Sequence, residues 1–383
     1  MKKKVLVVNT KYTIFGGEDA NIQQELNLLS DQYETNYLEF ANTNHLNFYD
    51  LISLFTGSNY KSNMRLRKKL SEFNPDIVYV HNTWYKANLG IFKILKKNNI
   101  KTVLKIHNFR YDCTRYFLSR NHLRNDSICS RCGYDKNISP YFNKYFKDSF
   151  IKSFFIIVYG KKYFNILKHS TSKIVVLNNF HKDYLIKTGV NKQIDIVFNP
   201  LNVTHIKKNV YNPESLNVVY AGQISTQKGV DKLLEVWDEF QSNKLVLNII
   251  GPLVNKEIIK NKKFKNVNFL GEKNNEETLN IISKSRAVIT ATKMYEGQPR
   301  LLSEASILGV PSIYPSFGGM DEYFPVKYDL KFTQYDYQDL LVKLNELHNK
   351  DLLVENSKKV KKNYDAKFNN TKNLEKITEV FNS

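Results

Sequence analysis

Two series of short apolar runs, rich in valine and isoleucine, constrain the fold of this 383-residue chain more than any other feature. The first series is 5–8, 77–80, 102–106 and 173–177, and the second is 218–220, 245–250, 267–270, 287–290 and 311–314. Such runs are typical of strands buried on both faces of a parallel sheet. Stretches with helical periodicity separate them, the clearest being Val230, Leu233, Leu234 and Trp237. The alternation predicts an α/β protein with parallel sheets.

A polar stretch rich in turn residues, 199–213, separates the two series and predicts a domain boundary. We expect two doubly wound, Rossmann-like domains, residues 1–200 and residues 201–365. A C-terminal helix at about 366–383 is expected to pack back on the first domain. Because ligands of open parallel sheets bind beyond the carboxyl ends of the strands, the expected site is a cleft between the domains.

The charge of the chain is strongly unbalanced, with 57 basic and 37 acidic residues and a formal net charge of +20. Apolar residues make up 42% of the chain, which excludes a disordered polyelectrolyte, and 3 cysteines exclude a disulfide-dense fold. The excess charge predicts an anionic partner. A nucleic acid, an anionic membrane surface and a phosphorylated small molecule are the candidates.

Three lysines follow Met1, as in the basic start of a signal peptide. The apolar run behind them contains only residues 5–8. A signal needs roughly 7–15 apolar residues there. The most apolar later stretch, 154–159, is far shorter than the roughly 20 residues of a membrane span. These features, with few cysteines, predict a reduced, cytoplasmic protein.

The strongest motif is YEGQPRLLSEA, residues 295–305, which follows a predicted strand and opens a helix. Pro299 suits the first position of that helix, whose N-terminus offers backbone N–H groups to a phosphate. Glu296 and Glu304 beside such an anion site are suited to binding sugar hydroxyls. The alternative is a capped amphipathic helix with surface glutamates.

Two further loops contain small residues. The segment YAGQISTQKG, residues 220–229, is a strand, a small-residue turn and Lys228 before a helix, and it lacks the spacing of a Walker loop. Small residues let the backbone approach a ligand, and the lysine can neutralise a diphosphate. Gly16 and Gly17 follow the first strand and open a helix, although a plain glycine turn also fits them.

Together and in this order, these motifs resemble the family 4 retaining glycosyltransferases, which have the GT-B fold, over nearly the whole chain. Glu296 and Glu304 match the family's E-x7-E signature. Residues 309–311 and 318–322 resemble its usual continuation, GVP … GG-x-x-E.

The resemblance implies roles for these residues. Glu296 would contact hydroxyls of the donor sugar and Glu304 the nucleotide ribose. Backbone N–H groups of Arg300 and Leu301 would hold the donor's sugar and phosphates, and Lys228 its diphosphate. Where the family commonly has arginine, this chain has Gln223, which donates a hydrogen bond but carries no charge. Either Lys228 acts alone or another cation, such as Arg300, compensates.

Two histidines follow strands of the first series, His81 after 77–80 and His107 after 102–106. A lone histidine is more often structural, but two at carboxyl strand ends favour a site. His107 occupies the position of a family histidine near the reacting anomeric carbon. By the same resemblance, Gly16 and Gly17 lie near the donor phosphates and the acceptor. His81 and Asn199 are further acceptor candidates.

Cys113, Cys129 and Cys132 include a C-x2-C pair, and with His122 they supply four potential zinc ligands. The stretch resembles a subset of the same family with this cysteine pattern in a loop of the first domain. We interpret it as a reduced structural loop and a candidate metal site without a catalytic role. The chain has no D-x-D triplet, which fits a metal-independent mechanism with no required cofactor, in which cations and a helix N-terminus stabilise the leaving diphosphate.

Residues 141–169 interleave phenylalanine, tyrosine, isoleucine and lysine. An amphipathic basic helix on an anionic membrane has this composition, and so does a half-buried helix whose lysines reach outward. Single-stranded nucleic acid is a third candidate, but no nucleic-acid-binding motif accompanies the segment.

The sequence therefore predicts a retaining hexosyltransferase that moves a sugar from a nucleotide-sugar, most simply a UDP-sugar, to a lipid-linked or saccharide acceptor. The setting would be synthesis of a bacterial surface polysaccharide at the inner face of the plasma membrane. By resemblance, the C-terminal domain binds the donor and the N-terminal domain binds the acceptor. The alternatives are a nucleotide-sugar epimerase of the same fold and, less simply, a basic nucleic-acid-binding protein.

Overall fold

A computed structural model describes residues 2–13, 17–43, 47–135, 141–170, 172–201, 210–242, 244–260 and 262–383. The chain forms two compact units. The first unit contains residues 1–131, 135–200 and 370–383, and the second contains residues 132–134 and 201–369. Gly16 lies outside the described residues. So do residues 202–209, which belong to the expected domain boundary.

The strands follow the two series of apolar runs. In the first unit they are β1 (Lys4–Lys11), β2 (Glu34–Ala41), β3 (Ile77–Val80), β4 (Lys101–Lys105), β5 (Lys173–Val176) and β6 (Ile194–Ile196). In the second unit they are β7 (Asn217–Ala221), β8 (Val246–Ile250), β9 (Val267–Gly271), β10 (Ala287–Ile289), β11 (Ser312–Ser316) and β12 (Lys331–Thr333).

Helices connect the strands in both units. In the first unit they are α1 (Gly17–Ser30), α2 (Phe48–Thr56), α3 (Tyr60–Phe73), α4 (Gly90–Lys97), α5 (Arg110–Cys113), α6 (Ser119–Leu123), α7 (Phe150–His169) and α8 (Asn179–Lys187). The second unit has α9 (Val230–Phe240), α10 (Asn275–Ser283), α11 (Arg300–Ile307), α12 (Tyr337–Asn345) and α13 (Lys350–Lys367). Helix α14 (Asn370–Asn382) ends the chain.

The first sheet has the strand order β2-β1-β3-β4-β5-β6, and every neighbouring pair is parallel. Strand β1 pairs with β2 on one side and with β3 on the other, so that Val5 lies opposite both Thr35 and Ile77. The chain reverses its direction of winding at β1. In such sheets the crevice beyond the carboxyl ends of the two strands at the reversal, here β1 and β3, is the usual ligand site.

The second sheet has the order β12-β11-β10-β7-β8-β9, again with parallel pairs throughout. Counted from β7, this is the strand order of dinucleotide-binding sheets, with the reversal between β7 and β10. Val218 pairs with Ala287 across that reversal. The prediction of two doubly wound parallel sheets is therefore confirmed.

Helix α14 belongs to the core of the first unit. Its side chains Ile377, Val380 and Phe381 are buried in one cluster with residues of β1 and β3. The ring of Phe381 meets Tyr33 and Tyr79 edge-on, with ring centroids 5.4 and 5.3 Å apart. The end of the chain thus returns to the first unit because its apolar face covers that sheet.

The basic aromatic segment 141–169 forms a helix only from Phe150 onward, and that helix, α7, has one buried face, with 8 of its 20 residues buried. Its fully buried Gly160 lies where a Cβ atom would be 2.8 Å from the carbonyl oxygen of Thr114. Of the two interpretations of the helix, the half-buried one describes its packing. In the described part of the chain, no helix has the length and apolarity needed to cross a membrane.

Candidate functional site

Close backbone contacts build the loops beyond β7, β8 and β10 of the second unit. A Cβ atom on Gly229, whose φ is +68°, would lie 1.8 Å from the carbonyl oxygen of Ala291. A Cβ atom on Gly251, with φ +133°, would lie 2.1 Å from the carbonyl oxygen of Gly222. Glycine is therefore needed at both positions, and the small-residue turn predicted from the sequence brings these loops together at the sheet reversal.

An ion pair joins the two predicted motifs at this place. The Nζ of Lys228, before α9, lies 2.5 Å from Oε1 of Glu296, in the loop after β10. The hydroxyl of Thr292 donates to the same oxygen at 3.2 Å. Both charged side chains are partly exposed, so they are accessible to a ligand. The structure thus brings together a cation suited to phosphate and a carboxylate suited to hydroxyl groups.

Helix α11 begins at Arg300, one residue later than the sequence predicts, and Pro299 occupies the N-cap position. The N–H of Ser303 donates to the carbonyl of Pro299, so the N–H groups of Arg300 and Leu301 precede the first intrahelical bond. This turn follows Glu296 directly in sequence. Its backbone dipoles favour an anion beside the Lys228–Glu296 pair.

The second glutamate of the motif is buried, with 4% of its surface exposed. Burial raises the pKa of Glu304, and Arg300 opposes this by donating from Nε to Oε1 at 2.6 Å. Arg300 also donates to Oδ1 of Asn275, at the start of α10. Arg300 is therefore held by Glu304 and Asn275, and a ligand that uses its guanidinium must share it with them.

Gln223 lies in the turn after β7, where its backbone carbonyl accepts a hydrogen bond from the Tyr220 hydroxyl. Its side chain is partly exposed. The structure brings together Lys228 and Glu296 by a contact, and Arg300 and Glu304 by another. The ligand roles assigned to these residues by resemblance stay predictions.

Sequence reasoning missed two residues that support this site. Thr292 orients Glu296, and the buried Lys293 pairs with Asp231 of α9 at 2.9 Å while its N–H donates to the carbonyl of Gln227. Lys293 ties the loop after β10 to the loop that carries Lys228. No sequence pattern predicts that Lys293, in the loop after β10, is buried. Thr292 could have been identified as a hydroxyl side chain close to Glu296 in the sequence.

In the first unit, the two predicted histidines contact each other. Nδ1 of His81 lies 2.9 Å from Nε2 of His107, and the rings stack. Behind them, Glu25 of α1 lies 3.9 Å from Nε2 of His81 and accepts two bonds from the buried Lys105 of β4. The hydroxyl of Tyr79 donates to the same carboxylate at 2.8 Å. A buried polar chain therefore runs from Lys105 to His107, which is partly exposed.

The two imidazoles are neutral at physiological pH. Burial lowers the pKa of His81 and of His107 well below 6.5, and the ammonium of Lys105 adds to the effect on both. Neutral rings 2.9 Å apart share one N–H between them, so one ring donates and the other accepts. That bond fixes the orientation of His107.

Around the start of α1, Gly17 is the first helical residue. The next residue, Glu18, is close to the side chains of Tyr12, Asn108 and Arg110. Burial raises the pKa of Glu18 to about 7, against the influence of Arg110. The guanidinium of Arg110 also lies over the Tyr12 ring, 5.3 Å from its centroid. Sequence reasoning did not single out this set, which lies at the carboxyl end of β1.

The remaining predicted residues lie elsewhere in the fold. Asn199 is buried after β6, at the end of the first unit. Cys113, His122, Cys129 and Cys132 are all buried, and their ligand atoms lie within 4.8 Å of one another. No disulfide joins the cysteines, all of which are among the described residues.

Comparison with known proteins finds sequence similarity over part of the chain. Residues 203–367 match the family model of glycosyl transferases, group 1. An uncharacterized 41.2 kDa protein of the cps region of Klebsiella pneumoniae is 26% identical over 167 residues, which are 41% of this chain and 46% of that protein. The aligned part thus spans about half of that relative.

Solved structures are similar over the whole chain. Sucrose-phosphate synthase from Thermosynechococcus elongatus has a TM-score of 0.71 at 11% identity, covering 100% of this chain and 98% of that one. Anabaena HepE, in complex with UDP and glucose, has a TM-score of 0.67 at 13% identity and 99% coverage of both chains. WaaG, a glycosyltransferase involved in lipopolysaccharide biosynthesis, has 0.64 at 12%, with 98% and 99% coverage.

The chain has the GT-B fold. At these identities the structural similarity establishes the architecture and nothing further, and the family match adds its support for a glycosyltransferase. The match covers most of the second unit, which contains the Lys228–Glu296 pair and the α11 N-terminus. The predicted GT-B fold is confirmed by the structural similarity, and the predicted glycosyltransferase class is supported by the family match over residues 203–367.

We expect Lys105→Met to cost about 3–5 kcal/mol of unfolding free energy, because it leaves the Glu25 carboxylate buried without its cation. Adding Glu25→Gln should restore most of that loss. Lys68→Met breaks an exposed pair with Glu72 and should stay within about 0.5 kcal/mol. Urea unfolding measures all three. Equal costs for Lys105→Met and Lys68→Met would show that the buried pair is unimportant.

Stability should fall as the pH is lowered through 6.5, because the unfolded chain protonates His81 and His107 while the folded chain keeps them neutral. Each histidine that is protonated only in the unfolded chain lowers the free energy of unfolding by up to about 1.4 kcal/mol per pH unit. Unfolding free energies between pH 7.5 and 5.5 should therefore decline less steeply in the double variant His81→Asn/His107→Asn. His169→Asn, which changes an exposed histidine, is the control. An unchanged slope in the double variant would contradict the burial argument.

Proposed function

We propose that this protein is a retaining glycosyltransferase of family 4 that moves a sugar from a UDP-sugar to a saccharide or lipid-linked acceptor. The observation that carries the proposal is the contact of Lys228 with Glu296, 2.5 Å apart, beside the first turn of α11. A nucleotide-sugar offers what this place can bind: phosphates for the lysine and the helix N–H groups, and sugar hydroxyls for the carboxylate.

On donor binding, the diphosphate takes Lys228 and the N–H groups of Arg300 and Leu301, while Glu296 turns to the sugar. Thr292 keeps one oxygen of Glu296 in place. Glu304 binds the ribose. Burial favours retention of its proton, and Arg300 favours the ionised form that accepts from hydroxyls. Gln223, in the turn after β7, donates a hydrogen bond to the donor where the family commonly has arginine.

The nucleotide and the mechanism are the more specific parts of the proposal. HepE binds UDP and glucose within the same architecture, which supports uridine as the base. In the mechanism we propose, the leaving phosphate takes the acceptor's proton, and the cations around it stabilise the developing charge without a metal ion. In this proposal His107, held by His81, is near the anomeric carbon, Gly17 is near the donor phosphates and the acceptor, and His81 and Asn199 contribute to the acceptor side.

The setting we propose is the synthesis of a bacterial surface polysaccharide. The Klebsiella relative is a cps-region protein, and WaaG acts in lipopolysaccharide biosynthesis. A lipid-linked acceptor for such a polysaccharide lies in the membrane. The enzyme would therefore bind the cytoplasmic face of the plasma membrane as a peripheral protein.

An exposed apolar surface of the first unit supports membrane binding. We call it the aromatic face, and it consists of Phe48, Tyr49, Ile52 and Phe55 on α2 with Tyr60 and Met64 on α3. Tyr49 is 77% exposed. Helix α2 packs on α7, where Lys162 donates to the carbonyl of Phe55. Lysines beside exposed aromatic rings suit an anionic lipid surface. The segment 141–169 predicted for this role supports the aromatic face through the buried side of α7, and its exposed lysines, such as Lys161 and Lys162, lie on the outer side.

Lys228→Met should lower kcat for transfer about 10²–10³-fold, because it removes the cation that stabilises the leaving diphosphate. Lys232→Met is the matched control. Lys232 forms an exposed pair with Glu235 at 2.6 Å in the same unit, and its loss should leave the rate unchanged. Transfer is measured as UDP release with a panel of UDP-sugars and acceptors, the donor first being selected by its thermal stabilisation of the protein.

The same assay separates the alternatives. A glycosyltransferase forms a glycosylated acceptor, whereas an epimerase converts the donor sugar without one. Isomerised donor in the absence of acceptor, or a normal rate for Lys228→Met, would contradict the proposed reaction. Tight, salt-sensitive binding to nucleic acid with no affinity for nucleotide-sugars would instead favour a nucleic-acid-binding protein.

Phe48→Ser/Tyr49→Ser should reduce binding to anionic lipid vesicles at least about 10-fold, since a buried aromatic side chain contributes about 1.5–3 kcal/mol. The control is Val326→Ser/Val342→Ser, which removes two exposed apolar side chains from the second unit. Vesicle flotation measures binding to phosphatidylglycerol and to phosphatidylcholine. Equal binding by wild type and the Phe48 variant would exclude the aromatic face as the contact.

A further inference from the structure

Four potential metal ligands converge in one short segment of the chain. Cys113 ends α5, His122 lies in α6, and Cys129 and Cys132 follow in the next turn. Their ligand atoms all lie within 4.8 Å of one another. All four residues lie within the 20-residue segment 113–132, so the fold of this one segment brings their side chains together.

The spacing of these atoms is close to that of a tetrahedral zinc site. With Zn–S bonds of about 2.3 Å, sulfur atoms around a tetrahedral ion lie about 3.8 Å apart. The observed upper limit of 4.8 Å therefore requires side-chain shifts of at most about 1 Å. All four side chains are buried. A closed site with four protein ligands is the structural type of zinc site, whereas a catalytic site keeps a position open.

The backbone around the C-x2-C pair forms a tight turn. Ile128 and Asp135 form an antiparallel bridge that closes it, and Gly133, directly after Cys132, has a φ of +70°. A left-handed glycine at this place lets the chain turn back at once. The turn places the C-x2-C pair next to the ligand atoms of Cys113 and His122.

The charged residues around the cluster are also compatible with a zinc ion bound to three thiolates. Buried Asp112, next to Cys113, accepts hydrogen bonds from Arg115, Arg124 and Arg131 at 2.7–3.0 Å. Three guanidinium groups on one carboxylate leave a local charge of +2. A zinc ion with three thiolates and a neutral imidazole carries −1, so it reduces this excess. The Arg131–Asp112 bond, at 2.9 Å, also ties the C-x2-C turn to α5.

We infer that Cys113, His122, Cys129 and Cys132 form a structural zinc site within segment 113–132. The ion binds as Zn²⁺ to three thiolates, whose protons are released to solvent, and to one neutral imidazole nitrogen. It holds segment 110–135 beyond the carboxyl end of β4, where His107 and Arg110 lie. The site is independent of the proposed sugar transfer, since neither Lys228 nor Glu296 belongs to it.

The decisive measurement is the zinc content of the untagged wild-type protein, purified without chelators and analysed by mass spectrometry of the metal. We expect about one zinc ion per chain. Replacement by Co²⁺ should give the visible bands of a tetrahedral site and the ultraviolet charge-transfer bands of thiolate ligands. Removal of zinc with a chelator should lower the melting temperature, and added Zn²⁺ should restore it.

Variants assign the ligands. Cys129→Ser and His122→Asn should each lose most of the bound zinc, whereas His169→Asn, at an exposed histidine, should retain it. If the ligand variants fail to fold, the wild-type zinc content and cobalt spectrum still decide the matter. A wild-type protein with three reduced thiols and no metal after exposure to Zn²⁺ would overturn the inference. So would a disulfide between any two of the cysteines in protein purified under non-reducing conditions.

Discussion

The candidate donor site of the second unit depends on the approach of two backbones, that of Gly229 and that of Ala291. Because a Cβ atom at Gly229 would lie 1.8 Å from the Ala291 carbonyl oxygen, only glycine lets the loops after β7 and β10 come this close. The N–H of Lys293 then bonds to Gln227, and its ammonium group bonds to Asp231. Lys228 meets Glu296 as a result of this packing, and the start of α11 follows in the same loop.

The central strands of both sheets could be predicted from the sequence, whereas three edge strands could not. Strands β3, β4, β5, β7, β8, β10 and β11 are covered on both faces, so their sequences are almost continuously apolar. Strands β2, β6 and β12 lie at sheet edges and contain polar residues such as Glu34, Asp195 and Lys331, so their patterns resemble loops. Burial, which creates the sequence signal, is incomplete at an edge.

Local sequence patterns likewise predict some residues of the candidate sites and not others. Lys228, Glu296, His81 and His107 are found from the sequence because each lies in a loop at the carboxyl end of a predicted strand. Glu25 and Lys105, which lie behind the histidines, are inside α1 and β4, where a charged residue ordinarily faces solvent. Their burial depends on each being placed opposite the other, a long-range pairing that no local pattern contains.

The Lys228–Glu296 contact has a consequence for which ligands the site admits. In the free protein the charges of Lys228 and Glu296 neutralise each other, so the pair by itself adds little attraction for a simple ion such as inorganic phosphate. A ligand that separates the pair must compensate both partners, with negative charge for the ammonium and hydrogen-bond donors for the carboxylate. In the proposed donor site, the ion pair would therefore favour molecules that combine an anion with neighbouring hydroxyl groups.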